Sequence, residues 1–179
     1  THSFTLFPYT TLFRSNIGAD VSNNGTFVLT GGTLTHHING AGDFEIDSGT
    51  LTTNADMLQM SKITNNGVLD ITSEILTQDV VGGKTIIANG AGISSKNIGD
   101  LELHGNMYVG NNTITAANTT INGTINMDIE KISANSNEYV GGHLTVDNVS
   151  FGDNSKLNLT IYDTDLLKGE STGDISLIT

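Results

Sequence analysis

Apolar and polar residues alternate along this chain in short runs. One unit recurs: a glycine, then two apolar residues separated by a single position. Gly25 leads Phe27 and Leu29, Gly42 leads Phe44 and Ile46, and Gly67 leads Leu69 and Ile71. Gly99 leads Leu101 and Leu103, and Gly105 leads Met107 and Val109. Gly123, Gly142 and Gly173 lead Ile125 and Met127, Leu144 and Val146, and Ile175 and Leu177. Side chains two apart point to one side of an extended strand. Each unit therefore predicts a short, half-buried strand whose intervening residues face water. Glycine tolerates positive φ, so a sharp turn is expected at the head of each unit.

The segments between the units carry turn chemistry. Asn-Gly pairs fall at Asn24-Gly25, Asn39-Gly40, Asn66-Gly67, Asn89-Gly90 and Asn122-Gly123. Both residue types enter the left-handed region at low cost. The triplet at Asn23 to Gly25 is echoed at Asn65 to Gly67, and Asn39 to Gly42 is echoed at Asn89 to Gly92. Helical periodicity is nearly missing. Thr53 to Lys62 is the best candidate for a helix, with an irregular loop as the alternative.

Successive units lie 17, 25, 32, 6, 18, 19 and 31 residues apart. Several gaps are close to twenty or a stretched version of it, which suits one coil of a parallel β-helix. The expected fold is all-β: a single-stranded parallel β-helix, or β-solenoid. An antiparallel β-sandwich with Gly-rich hairpins is the alternative, but aromatic residues to fill its core are few. About eight coils at a strand spacing of about 4.8 Å would give a rod of about 40 Å. Leu69, Ile71, Leu101 and Leu103 would fill its interior, and asparagines at equivalent turns could form hydrogen-bonded ladders. No linker interrupts residues 16–179, which read as one solenoid repeat region.

Residues 1–15 stand apart. Pro8 is the only proline of the chain and splits the apolar run, and Arg14 is its only arginine. A secretory signal would place basic residues first and keep the apolar core unbroken. Back-translated, Thr5 to Ser15 resembles a common short-read sequencing adapter. That resemblance implies a non-native segment outside the fold.

Without that segment the chain holds no Pro, Arg, Cys or Trp, and six lysines face nineteen acidic residues. Phosphate backbones need clustered Lys and Arg, so no nucleic-acid partner is expected. Anionic lipid is disfavoured on the same ground. No apolar run approaches the length of a spanning helix, so no membrane span is expected in this fragment. Recurrent Val, Ile and Leu argue for order over disorder. An exported protein without cysteine relies on packing and hydrogen bonds.

Candidate chemistry is thin. Asp43, Glu45 and Asp47 alternate along one run, as do Asp163 and Asp165. Glycoside hydrolysis needs two facing carboxyls, yet such alternation also describes a solvated strand face. The stretch from Gly40 to Glu45 faintly resembles half of a calcium-binding nonapeptide, without a tandem copy; carboxylate rows can bind calcium. His36 and His37 are adjacent, which in a strand aims them at opposite faces, while His104 and His143 stand alone; metal binding needs convergent ligands. Asn24, Asn118 and Asn148 begin glycosylation sequons of a kind that arises by chance in Asn- and Thr-rich chains. No nucleophile or phosphate-loop motif is present. No catalytic, cofactor-binding or metal-binding residues are assigned.

Gly-led strands, Asn and Thr richness, acidity and missing cysteine together resemble the passenger regions of bacterial autotransporters and related β-helical adhesins. The stretch from His143 to Ile161 looks like late passenger coils. The resemblance implies a non-enzymatic structural or adhesive module, monomeric and exported to the cell surface. It also implies an outer-membrane anchor supplied by a missing C-terminal region. Its partners would be host glycans or extracellular protein. Parallel β-helices also host lyases and glycosidases, so a fragment of a carbohydrate-active enzyme is one alternative. A spacer stalk that binds nothing is another.

Overall fold

The structure, a computed structural model, describes residues 3–6, 11–13, 19–60, 62–131, 139–162 and 177–179. The expected strands form and stack in parallel. One wall contains Gly32–Leu34, Thr50–Thr53, Val68–Ile71, Lys84–Ile87, Asp100–Leu103, Thr113–Ile121 and His143–Phe151, each hydrogen-bonded to the next. This is called the long wall below. A second wall holds Thr11–Phe13, Thr26–Leu29, Asp43–Ile46, Lys62–Asn65 and Asp79–Val81. A third begins with Ser3–Leu6, Asp20–Asn23, Ile38–Asn39 and Leu58–Gln59. A fourth, the late wall, starts at Ile75–Leu76 and runs through Gly92–Ile93, Asn106–Gly110 and Thr124–Lys131 to Lys156–Ile161. The chain is a parallel β-solenoid of about six turns. The only antiparallel pair among the described strands joins Thr124–Lys131 to Tyr139–Gly141, so the β-sandwich alternative is set aside.

The third wall stops where the late wall begins. Between Thr50–Thr53 and Leu58–Gln59 the chain makes a 3₁₀ turn at Ala55–Met57, capped by the Asn54 side chain, which accepts from Asp56 N–H. This single turn is what the weak helical signal around Thr53 to Lys62 becomes. Gln78 Nε2 donates to the Leu58 carbonyl at 2.6 Å and ties the two walls together. Later coils are simpler. Thr113–Ile121 and Thr124–Lys131 are nine and eight residues long. A coil there is built mostly from two long strands.

Register places like residues over like. Phe27, Phe44, Ile63 and Val80 stack in one inward column, with the Phe27 and Phe44 rings stacked at 5.6 Å. Leu34, Thr53, Ile71, Ile87, Leu103 and Ile121 form another. Leu76, Ile93, Met107 and Ile125 line the late wall. All of these side chains are buried in one continuous core. Each buried aliphatic or Phe contributes about 1.5–3 kcal/mol. Phe151 continues the Leu103–Ile121 column but is 56% exposed, because no described strand lies over it.

Two expectations need correction. First, the glycines that lead the described strands are not there for positive φ. Positive φ falls at other glycines, such as Gly31, Gly40, Gly82 and Gly110. Six of the leading glycines are crowded instead. A Cβ on Gly105 would lie 2.1 Å from the Ala91 carbonyl oxygen, and one on Gly123 would lie 2.2 Å from that of Gly105. Gly42, Gly67, Gly99 and Gly142 meet a carbonyl of the preceding coil in the same way. Corners of successive coils come too close for any side chain.

Second, the coils are fewer than the units suggested. At a spacing of about 4.8 Å, about six turns make a column nearer 30 Å than 40 Å. The Gly-led unit does not mark one face of each coil. It begins Thr26–Leu29 and Asp43–Ile46 on the second wall, Val68–Ile71 and Asp100–Leu103 on the long wall, and Asn106–Gly110 on the late wall. Its irregular gaps record these jumps between walls. The true repeat is visible in cross-coil hydrogen bonds, which span 17 to 20 residues through most of the stack. It lengthens to 30 and 32 residues in the last described coil.

Ser3–Leu6 pairs with Asp20–Asn23, and Thr11–Phe13 pairs with Thr26–Leu29. Both lie in the segment expected to stand outside the fold. An open solenoid end presents free backbone donors and acceptors that pair with an extended segment of any origin. The Gly173-led unit, Asp163 and Asp165 lie outside the described residues. Among the described residues no helix is long and apolar enough to cross a membrane, which says nothing of a β-barrel.

Candidate functional site

Outward positions on the long wall form polar ladders because the core takes every second residue. Asn148 Nδ2 donates to Asn118 Oδ1 at 2.9 Å, and Asn118 Nδ2 donates to Asp100 Oδ1 at 2.9 Å. The Asn118 backbone N–H also donates to Asp100 Oδ1 at 3.1 Å. Beside this row, Ser150 Oγ donates to Thr120 Oγ1 at 3.2 Å. On the late wall Asn158 Nδ2 donates to Asn126 Oδ1 at 3.0 Å. The expected asparagine ladders exist, on flat strand faces rather than only at turns.

A charged cluster lies lower on the long wall. Lys84 and Glu102 occupy adjacent strands and form an ion pair, and His104 Nε2 lies 2.7 Å from Glu102 Oε1. The Lys84 hydrogen bond, followed by that of His104, holds the Glu102 carboxyl below its ordinary value.

The corner between the long wall and the late wall holds a polar groove of about 290 Å³. It is lined by Asn89, His104, Asn122, Gly123, Thr124, Asn154 and Lys156. Asn89 follows the strand Lys84–Ile87, and His104 follows Asp100–Leu103. Asn122 sits between Thr113–Ile121 and Thr124–Lys131, and Asn154 precedes Lys156–Ile161. Four successive turns thus place polar side chains in one line. Asn122 Oδ1 accepts from the Asn154 backbone N–H at 3.2 Å, which fixes its amide. Thr124 and Lys156 face each other across one rung.

Of the carboxylates singled out in the sequence, Asp43, Glu45 and Asp47 lie among the described residues. Asp43, Glu45 and Asp47 follow the alternation of their strand, with Asp43 and Asp47 exposed and Phe44 and Ile46 buried between them. Glu45 Oε1 accepts from Asn66 Nδ2 at 2.9 Å. His36 and His37 lie in the connection between Gly32–Leu34 and Ile38–Asn39, not in a strand. His37 N–H donates to Asp20 Oδ1 at 3.0 Å, and this bond holds the Asp20 carboxyl below its ordinary value. His143 Nε2 lies 2.8 Å from Thr179 Oγ1. Among the described residues no three of His, Asp or Glu are grouped to hold a metal ion. Asn24, Asn118 and Asn148 are exposed, and the latter two belong to the ladder.

Sequence reasoning flagged Asn89 and Asn122 as turn residues and His104 as an isolated polar residue. It did not join them, and it missed Thr124, Asn154 and Lys156. The Asn-Gly pairs at Asn89 and Asn122 were the available signal. The long last coil hides Asn154, which sits 32 residues after its partner Asn122. No protein-family model matches the chain, and no curated protein or solved structure shows significant similarity to it.

Proposed function

We propose that the chain is a structural and adhesive module of an exported bacterial surface protein, displayed at the cell surface as a rigid β-solenoid. The observation that carries this reading is the outer face of the long wall. There Asp100, Asn118 and Asn148 are hydrogen-bonded to one another across three coils, so a polar surface is held in place before any ligand arrives. A preordered surface loses little side-chain entropy on binding. The likeness of the Gly-led strands to autotransporter passengers supports the exported setting. Glycans or extracellular proteins of a host are the fitting partners, since amide and hydroxyl groups both donate and accept hydrogen bonds.

The test is a binding array of glycans and matrix proteins probed with the purified chain, run beside an assay for released reducing ends. Binding without turnover is expected, and Asn118→Ala together with Asn148→Ala should weaken it. Turnover would favour the carbohydrate-active enzyme reading. Neither binding nor turnover would leave the spacer reading.

A further inference from the structure

We propose that the corner groove between the long wall and the late wall binds a carboxylated saccharide, a uronic-acid-containing glycan. The proposal deepens the adhesive reading and rests on it for the glycan setting.

Three features of the groove select that chemistry. The first is charge. The chain carries a net charge of −12, so cations are scarce. Lys84 is engaged by Glu102, but Lys156, on the groove, forms no ion pair among the described residues. Its ammonium is free for an incoming carboxylate, and a charge-assisted bond of that kind is about twice as strong as a neutral one. Glu102, the acidic group nearest in sequence to His104, already accepts from both Lys84 and His104.

The second feature is the amide line. The Asn89 and Asn154 side chains line the groove and make no hydrogen bond with the described residues, while Asn122 is anchored through its oxygen. A free amide offers two donors and an acceptor. Neighbouring sugar hydroxyls need both. A simple anion such as phosphate needs only donors, and the amide carbonyls of Asn89 and Asn154 would be left facing it. The Thr124 hydroxyl adds a further donor and acceptor.

The third feature is shape. At about 290 Å³ the groove suits a small sugar unit, near the lower bound of about 300 Å³ for ligand pockets.

The experiment titrates the isotope-labelled chain with cellobiouronic acid, with neutral cellobiose, and with acetate, following side-chain amide resonances by NMR. Saturable shifts at Asn89, Asn122 and Asn154 are expected with the acidic disaccharide and much weaker ones with cellobiose. Lys156→Met keeps the aliphatic stem and should weaken the acidic disaccharide roughly tenfold while leaving cellobiose unchanged, as loss of one charged contact requires. Asn154→Ala should weaken both sugars. Both substituted positions are exposed, and an unchanged amide spectrum elsewhere confirms that the variants fold. Equal response to acetate would mean anion attraction alone and would overturn the proposal. So would shifts that ignore Lys156→Met. If array binding persists in Lys156→Met while the groove resonances stay still, the groove fails and the adhesive reading stands. Silence in both array and titration overturns both.

Discussion

Thr85 sits in register on Leu69, inside the aliphatic column, and its hydroxyl has no hydrogen-bond partner. Leu101 covers it from the other side. The side chain is fully buried. A buried hydroxyl without a partner costs about 1–3 kcal/mol. Thr85→Val keeps the shape and removes the polar atom. It should raise the urea midpoint by an amount equivalent to about 1–2 kcal/mol, with the slope unchanged. A neutral or lower midpoint would show that the hydroxyl is satisfied in solution.

Close coil contact at the leading glycines gives a second prediction. Gly105→Ala would push a methyl into the Ala91 carbonyl, backbone against backbone, with no flexible side chain to yield. Overpacking of that kind costs roughly 3 kcal/mol, the upper end of its usual range. Gly90 differs: its φ is +95° and nothing lies within 4 Å of the added carbon. Gly90→Ala should cost only the left-handed strain, about 1–2 kcal/mol. Thermal unfolding of the two variants ranks them. Equal losses would mean that backbone conformation, not crowding, dictates both glycines.

This contrast explains what the sequence could and could not disclose. Phe27 with Leu29, or Leu101 with Leu103, shows which residues face inward, because period two is a property of a strand alone. The all-β solenoid was legible for that reason. Wall assignment was not. Gly99 and Gly105 lead strands on two different walls of the same coil, and no local pattern distinguishes a corner from a turn between coils. The unit also vanishes at Gly83, where Thr85 occupies the apolar position. The groove was hidden further, since Asn89, Asn122 and Asn154 become neighbours only once three coil lengths are known, and the last is stretched.

Asn65 is the most testable of the turn residues. It is fully buried. Its Nδ2 donates to the Lys84 carbonyl of the next coil at 3.0 Å, and its Oδ1 accepts from Gly67 N–H at 3.0 Å. Asn23 makes the same two contacts, to the Asp43 carbonyl and from Gly25 N–H. Asn65→Ala orphans two backbone groups and should cost about 2–4 kcal/mol. Asn65→Asp keeps the acceptor and sets a carboxylate against the Lys84 carbonyl. Burial would raise that carboxyl's pKa, so the variant should lose most stability near neutral pH and regain part of it in acid. Denaturant midpoints across pH check this. An Asn65→Asp variant with a pH profile parallel to the wild type would sink the cross-coil role of Nδ2.

The Lys84–Glu102–His104 cluster predicts the opposite sign for a native carboxyl. Glu102 is held below its ordinary 4.5 chiefly by the Lys84 hydrogen bond. A lowered folded-state pKa means that the unfolded chain binds the proton first as pH falls. The stabilisation is therefore complete above 4.5 and fades as pH drops through the lower folded-state value. Its size is small: the Lys84 and Glu102 side chains are 45% and 30% exposed, and such pairs contribute up to about 1 kcal/mol. Glu102→Gln cannot ionise. Its deficit relative to the wild type should be visible near neutral pH, shrink in acid and diminish in high salt, which screens exposed charges. Urea midpoints of both proteins, measured as a difference against pH, isolate this carboxyl from the other acidic residues. A difference that stays constant from neutral pH into acid would remove the ion pair from the forces holding these coils together.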